Sequence, residues 1–256
     1  MNKRQFEDEA ERVLTAARDA RVTLRLLGAL AFQRRCPRFA HLQERLGREY
    51  TDIDFAGYGR AVSGIRDVLS GLGYREDSGV YVESEGSRLV FGSPETGLHL
   101  DVFLDKLEFS HTINWDGRLE IDEDTIPLAE LLLEKMQIVE INEKDIIDTI
   151  MLLLEHPLAE HDGQAINIGH ASRLMGRDWG LWRTVTMNLR KVAEMAARYE
   201  VVEPADRDAV RLRVEEALAR IATEPKSRRW RVRARIGDRM KWYRDVGELG
   251  PAVHEG

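Results

Sequence analysis

Residues 50–56 read YTDIDFA, and this stretch narrows the possible folds more than any other in the chain. Apolar and acidic side chains alternate there with a period of two, the period of a β-strand. One face of that strand sends Ile53 and Phe55 into a core, and the other carries Asp52 and Asp54. Residues two apart on a strand lie about 7 Å apart along one edge. Two like charges held that way repel unless a cation lies between them. An Asp-x-Asp pair also arises by chance in a chain with 45 acids, so the pair alone does not make a metal site. A second apolar strand candidate, residues 98–104 (LHLDVFL), again holds one acid, Asp101. If the two strands are neighbours, three carboxylates converge, and such a set on a rigid support suits a hard cation such as Mg2+. Acids inside apolar strands need a reason of this kind, because buried charge is costly without a partner.

The surrounding pattern predicts an α+β fold: a small mixed sheet with flanking helices, followed by a helical C-terminal region. Residues 5–20 place Phe6, Ala10, Val13, Leu14 and Ala17 at helical spacing. Residues 22–27 read as a strand ending at Gly28, residues 29–36 as a short helix, and the stretch through Arg48 as a polar loop. Val62, Ile65, Val68, Leu69 and Leu72 mark a helix over 61–72, closed by Gly73. Residues 80–83 and 88–92 read as a hairpin turning over 85–87. After Pro127 the pattern is helical throughout: 127–138, 143–155, 167–175, 178–199, 205–222 and 227–244. The expected division is a core over 1–126 and a helical region over 127–256.

Composition sets the outer limits. With 256 residues, 43% hydrophobic and 32% charged, the chain is long enough for a sizeable core and too apolar for wholesale disorder. Cys36 is the only cysteine, which excludes an internal disulfide and suits a reducing cytoplasm. The first residues, MNKRQFEDEAERV, hold no apolar secretory core, and the apolar runs at 126–133 and 146–154 are too short to span a bilayer. A cytoplasmic protein without a membrane partner is the expectation. The net charge of −7 is unevenly spread. Residues 101–162 hold 17 acids against 4 lysines and arginines, whereas residues 224–245 hold 9 lysines and arginines against 3 acids.

The succession LLGALA (residues 26–31), YTDIDFA (50–56) and LHLDVFL (98–104) resembles the nucleotidyltransferase superfamily with the polymerase-β-like fold. That resemblance implies that Asp52, Asp54 and Asp101 are catalytic and bind metal, with two Mg2+ ions expected. It implies that Asp101 also helps to deprotonate an acceptor hydroxyl. Gly28 and Ala29 then let a triphosphate approach the backbone at a helix N-terminus. Residues 131–154, LLLEKMQIVEINEKDIIDTIMLLL, are similar to the lysine and Asp-x-x-Asp helix pair of minimal and abortive-infection-type bacterial nucleotidyltransferases. By that similarity Lys135 faces the nucleotide phosphates, with Lys144, Asp145 and Asp148 on the following helix. The activity implied is transfer of a nucleoside monophosphate from a nucleoside triphosphate to a hydroxyl acceptor: a small molecule, a tRNA or a protein. The sequence departs from the pattern in having Ala29 where glycine or serine is usual, and in the 23 residues between Gly28 and Asp52. Ala29 supports an alternative, a catalytically weakened module that binds a nucleotide or a partner.

Residues 227–245, SRRWRVRARIGDRMKWYRD, interleave arginines with Trp230, Trp242 and Tyr243. Such a mixture grips phosphate and stacks bases, giving a third reading as an RNA-binding protein. The same residues also suit docking on the preceding helices, with Trp230, Ala234, Ile236 and Met240 as an apolar stripe and the arginines in solvent. The tail is expected to pack on the helical region and to border the cleft opposite the metal site. His99, two residues before Asp101, is placed to line that site. His156, His161 and His170 have no cysteine partner at a zinc spacing, and Cys36 has no neighbouring histidine.

Overall fold

The structure is a computed structural model, and it describes residues 2–47 and 49–245. The expected architecture is the one observed: a five-stranded mixed sheet, helices on its flanks and a helical C-terminal region. Helix α1 (Lys3–Asp19) starts at a capping box in which Asn2 and Gln5 satisfy each other's backbone N–H groups, and it buries the five predicted apolar residues. Strand β1 (Leu24–Leu27) runs into α2 (Gly28–Arg35), and α3 (His41–Arg45) occupies part of the stretch expected as loop. Arg48, where that loop was expected to end, lies outside the described residues.

Strand β2 (Asp52–Gly57) leads through a short turn into α4 (Val62–Gly71), then β3 (Arg75–Glu76), α5 (Ser78–Glu83), β4 (Arg88–Gly92) and β5 (His99–Leu104). The sheet order is β1-β2-β5-β4-β3, with β2 and β5 parallel and the other pairs antiparallel. Alternation along each strand sorts the two faces. Leu24, Leu26, Ile53, Phe55, Leu89, Phe91, Leu100, Val102 and Leu104 all point one way, and each is at most 1% exposed. Asp52, Asp54, Asp101 and Arg88 belong to the other face.

The hairpin expected over 80–92 is not there. Residues 80–83 belong to α5, and β4 pairs instead with β3. The Asp77 carboxylate accepts the Gly79 N–H and starts a helical turn, and Val82 is left 75% exposed. Three β-formers in a row are too few to outweigh a cap.

A small hairpin follows, β6 (Lys106–Glu108) with β7 (Thr112–Asn114). The chain then covers the free edge of the sheet: Leu26 donates its N–H to the Asp124 carbonyl, and Ile126 donates to the Leu26 carbonyl. That edge is thereby closed to outside pairing, and the covering segment delivers Pro127 to the start of α6 (Leu128–Met136). All nine residues of α6 are buried, as are Asp145 to Leu153 of α7 (Glu143–Glu155). Both helices are buried on every side, their charged residues Glu130, Glu134, Lys135, Asp145 and Asp148 included, so this pair is the middle of the molecule. After the short parallel strands β8 (Leu158–Ala159) and β9 (Ile166–Asn167), helices α8 (Ile168–Arg177), α9 (Trp179–Arg198) and α10 (Pro204–Thr223) surround it.

The last expected helix, 227–244, stops early. Helix α11 (Arg228–Ile236) ends at Gly237, whose φ of +61° breaks the helix. Ile236 and Met240, expected in an apolar stripe, are 37% and 61% exposed. A single apolar core runs from α1 through the sheet to α10. Among the described residues, no helix is long and apolar enough to cross a membrane.

Candidate functional site

The parallel ladder sets Asp54 directly opposite Asp101, and Asp52 opposite His99. One carboxylate oxygen from each of Asp52, Asp54 and Asp101 lies within 4.8 Å of the others, the only group among the described residues so placed that it could hold a metal ion. Asp52 is exposed, Asp54 half-buried and Asp101 only 7% exposed. Arg88 Nη2 donates to Asp101 Oδ2 at 2.7 Å, while Asp101 Oδ1 is buried with no hydrogen-bond partner. Burial pushes the Asp54 carboxyl well above the usual carboxylate range, and the charges of Asp52, Asp101 and Glu134 push it further; Lys135 opposes them. Burial raises Asp101 as well, against the pull of Arg88. Negative charge is thus held together with too little positive charge to balance it. Three hard oxygen donors, one of them an orphaned buried oxygen, fit a divalent cation.

Gly28 opens α2 beside this group. Its φ is +68°, and a Cβ at that position would collide with Asp54 Oδ2. Both the backbone conformation and the close approach require glycine. The Gly28 N–H donates to Glu134 Oε2 at 3.1 Å. Glu134 and Lys135 come from α6, which is brought against α2 by the edge-covering segment. The Lys135 ammonium lies 3.1 Å from Glu134 Oε1, 3.3 Å from Asp145 Oδ1 and 3.5 Å from Asp148 Oδ2. It also sits over the Phe32 ring. Burial raises the Glu134 carboxyl, while Lys135 and the Gly28 amide hold it down. Asp148 accepts from Gln43 Nε2 at 2.6 Å, and the Tyr50 hydroxyl donates to Gln43 Oε1 at 2.8 Å. Asp145 has two tasks: it completes the capping box of α7 with Asn142, and it faces Lys135.

A cleft of about 560 Å3 opens over these groups. Gly28, Ala29, Asp52, Asp54, Lys135 and Lys144 are all in its walls. Asp101 sits behind Asp54, and Asp148 is fully buried, acting on Lys135 rather than facing the cleft. His99 shares the face of Asp101 but is exposed at its margin. Two important groups were not anticipated from the sequence. Arg88 is detectable only once β4 is known to pair with β5. Glu134 precedes Lys135, and its signal was an acid within an otherwise largely apolar helix.

The basic tail contributes to the wall of this cleft. Tyr243, Arg244 and Asp245 line the same cleft. The tail is seated by Trp242, whose Nε1–H donates to Thr184 Oγ1 at 3.1 Å, and by Arg244, which pairs with Glu108 at 2.9 Å. Of the other candidates, His156 lies between the carbonyls of Arg35 and Gln164, and His170 meets Glu130. Burial pushes the Cys36 thiol up and keeps it unreactive. Comparison with protein-family models, curated proteins and solved structures returned no match to this chain.

Proposed function

We propose that this chain is a metal-dependent nucleotidyltransferase, moving a nucleoside monophosphate from a nucleoside triphosphate to an acceptor hydroxyl. The convergence of Asp52, Asp54 and Asp101 beside the positive-φ amide of Gly28 carries the reading. In the reaction the acceptor oxygen bonds to the α-phosphorus, the bond from that phosphorus to the bridging oxygen breaks, and pyrophosphate leaves. The three aspartates would hold Mg2+, which when bound polarises the phosphates and lowers the pKa of the acceptor hydroxyl. The Asp101 carboxyl, raised by burial and set opposite Asp54 in the ladder, would help to take the acceptor's proton. The Gly28 and Ala29 amides at the start of α2 suit the triphosphate. Lys135, held by three carboxylates within 3.5 Å, is preset to exchange one of them for a phosphate oxygen.

One observation favours a second reading, a nucleotide- or partner-binding module without turnover. Glu134 already occupies the Gly28 N–H, and Ala29 supplies no hydroxyl in its place. Incubation with each labelled triphosphate, Mg2+ and a cell extract separates the two. Transfer of label that is lost with a chelator and in Asp54→Asn supports the transferase. Nucleotide binding with no magnesium-dependent turnover in any extract would rule it out and leave the binding module.

A further inference from the structure

A second cavity, of about 640 Å3, lies beside the first, and the two share Ser110, Tyr243 and Arg244 as a common wall. The second is lined by cations and aromatic rings together, Arg177, Arg229 and Arg233 with Trp179, Trp230 and Trp242. The tail builds it by docking closely: a Cβ on Gly180 would meet the Trp242 carbonyl at 2.7 Å. Trp230 packs edge-on to Trp182 and Trp242 edge-on to Trp179, with ring centroids 5.1 and 6.1 Å apart. Trp230, Trp242 and Tyr243 stay half-buried, so each keeps some surface on the cavity side. Arg177 and Arg229 are exposed in its wall, while Arg228, Arg231, Arg235 and Arg239 are exposed elsewhere on α11 and the turn after it; none of these arginines has an ion-pair partner among the described residues. In a chain of net charge −7, this is a concentrated positive surface.

We infer that α11 and the tail form a binding surface for single-stranded nucleic acid that leads into the cleft holding Asp52, Asp54 and Asp101. Phosphates take the exposed arginines, and unpaired bases stack on the tryptophan and tyrosine rings. A duplex cannot offer its base faces to a cavity of this kind. A polycationic small molecule is repelled by the same surface. The common wall at Tyr243 and Arg244 directs one end of the strand into the first cleft, so a terminal ribose hydroxyl becomes the acceptor. Only this last statement rests on the transferase reading; the binding surface does not.

The test is fluorescence anisotropy on the full chain, without triphosphate or metal. The probes are labelled oligouridylate and oligodeoxythymidylate of about 12 nucleotides, within the length range of single-strand sites, and a duplex of equal length. Both single strands are expected to bind, with the ribose and deoxyribose arms showing which is preferred, and the duplex about tenfold more weakly. Affinity should fall with salt, with a log–log slope of about −2 to −4 for three to five phosphate contacts. Charge reversal at the exposed arginines of the cavity wall, R177E/R229E, should weaken binding about tenfold or more and flatten that slope. Tyr243→Ala should weaken binding and leave the slope unchanged. The inference is overturned by absent single-strand binding, by binding that neither variant alters, or by capture of the chain on anionic phospholipid vesicles but not on oligonucleotides. Strand binding without magnesium-dependent transfer would sink the transferase reading alone. Transfer to another acceptor without strand binding would sink this one alone.

Discussion

Helix α6 carries two buried acids one turn apart, and they live in opposite circumstances. Glu130 meets Arg118 through two hydrogen bonds, of 2.5 and 3.0 Å. The same guanidinium grips Asp162 at 2.7 and 3.0 Å, and Asn167 and His170 complete the set. Two carboxylates there face one guanidinium, a histidine and an amide, and Arg118 is bound so firmly that its pKa is raised. Glu134, on the next turn, belongs to a group with Asp52, Asp54, Asp101, Asp145 and Asp148. Against those six carboxylates stand Arg88 and Lys135 in direct contact, with Lys144 in the cleft wall. Buried acid alone therefore does not mark a working site in this chain. Buried acid with too little positive charge is what sets the candidate site apart, because its repulsion is relieved only by protonation or by a bound cation.

The comparison breaks most visibly at Arg118. Arg118→Ala leaves Glu130 buried without its cation and should cost about 3–5 kcal/mol of stability in chemical denaturation. A loss under about 1 kcal/mol would mean that the Glu130 group is no staple. Acid should expose a weakness elsewhere, at the seam between tail and core. Burial holds His111, hydrogen-bonded to Thr184, down to about 4 from its ordinary 6.5. The unfolded chain takes up that proton first, so stability should fall as pH drops from 6.5 to 4, by up to about 3 kcal/mol. Denaturation at stepped pH checks this, and His111→Gln should remove most of the slope.

Gly28→Ala forces a side chain into left-handed backbone and against Asp54. It should cost about 1–3 kcal/mol and weaken nucleotide binding, read by calorimetry. Asp54→Asn should have the smallest effect on stability and the opposite sign. It relieves repulsion, so the metal-free variant should be about 1 kcal/mol more stable than the parent. Mg2+ should then raise the melting temperature of the parent and not of the variant. Equal Mg2+ shifts in both proteins would contradict a metal site at Asp54.

The aspartates were legible because a strand converts spacing into direction without further information. Asp52 and Asp54 had to share a face, and only the neighbour was unknown. Helices α6 and α7 were legible as helices over 127–138 and 143–155, but their burial at the middle of the molecule was not. What stayed hidden depended on contacts between distant segments or on single backbone angles. Glu134 reads as one more helix acid until α6 is known to lie against Gly28. Residues 80–83 carry strand-forming side chains, and a single cap at Asp77 overrules them. The tail was correctly expected to dock and to border the cleft. Its expected helix runs eight residues past Ile236, where the single backbone angle of Gly237 ends the observed one.

Asp54 and Asp101 are 47 positions apart in the chain, yet they face each other across a parallel ladder. That pairing cannot form by local zippering; the intervening helices and strands must be in place before β5 can lie beside β2. The contact is costly in loop closure and should come late in folding. A partly folded chain therefore holds no assembled acid cluster to capture stray cations. A cation bound by the three aspartates stabilises only the completed sheet, and it should slow unfolding while leaving the refolding rate almost unchanged.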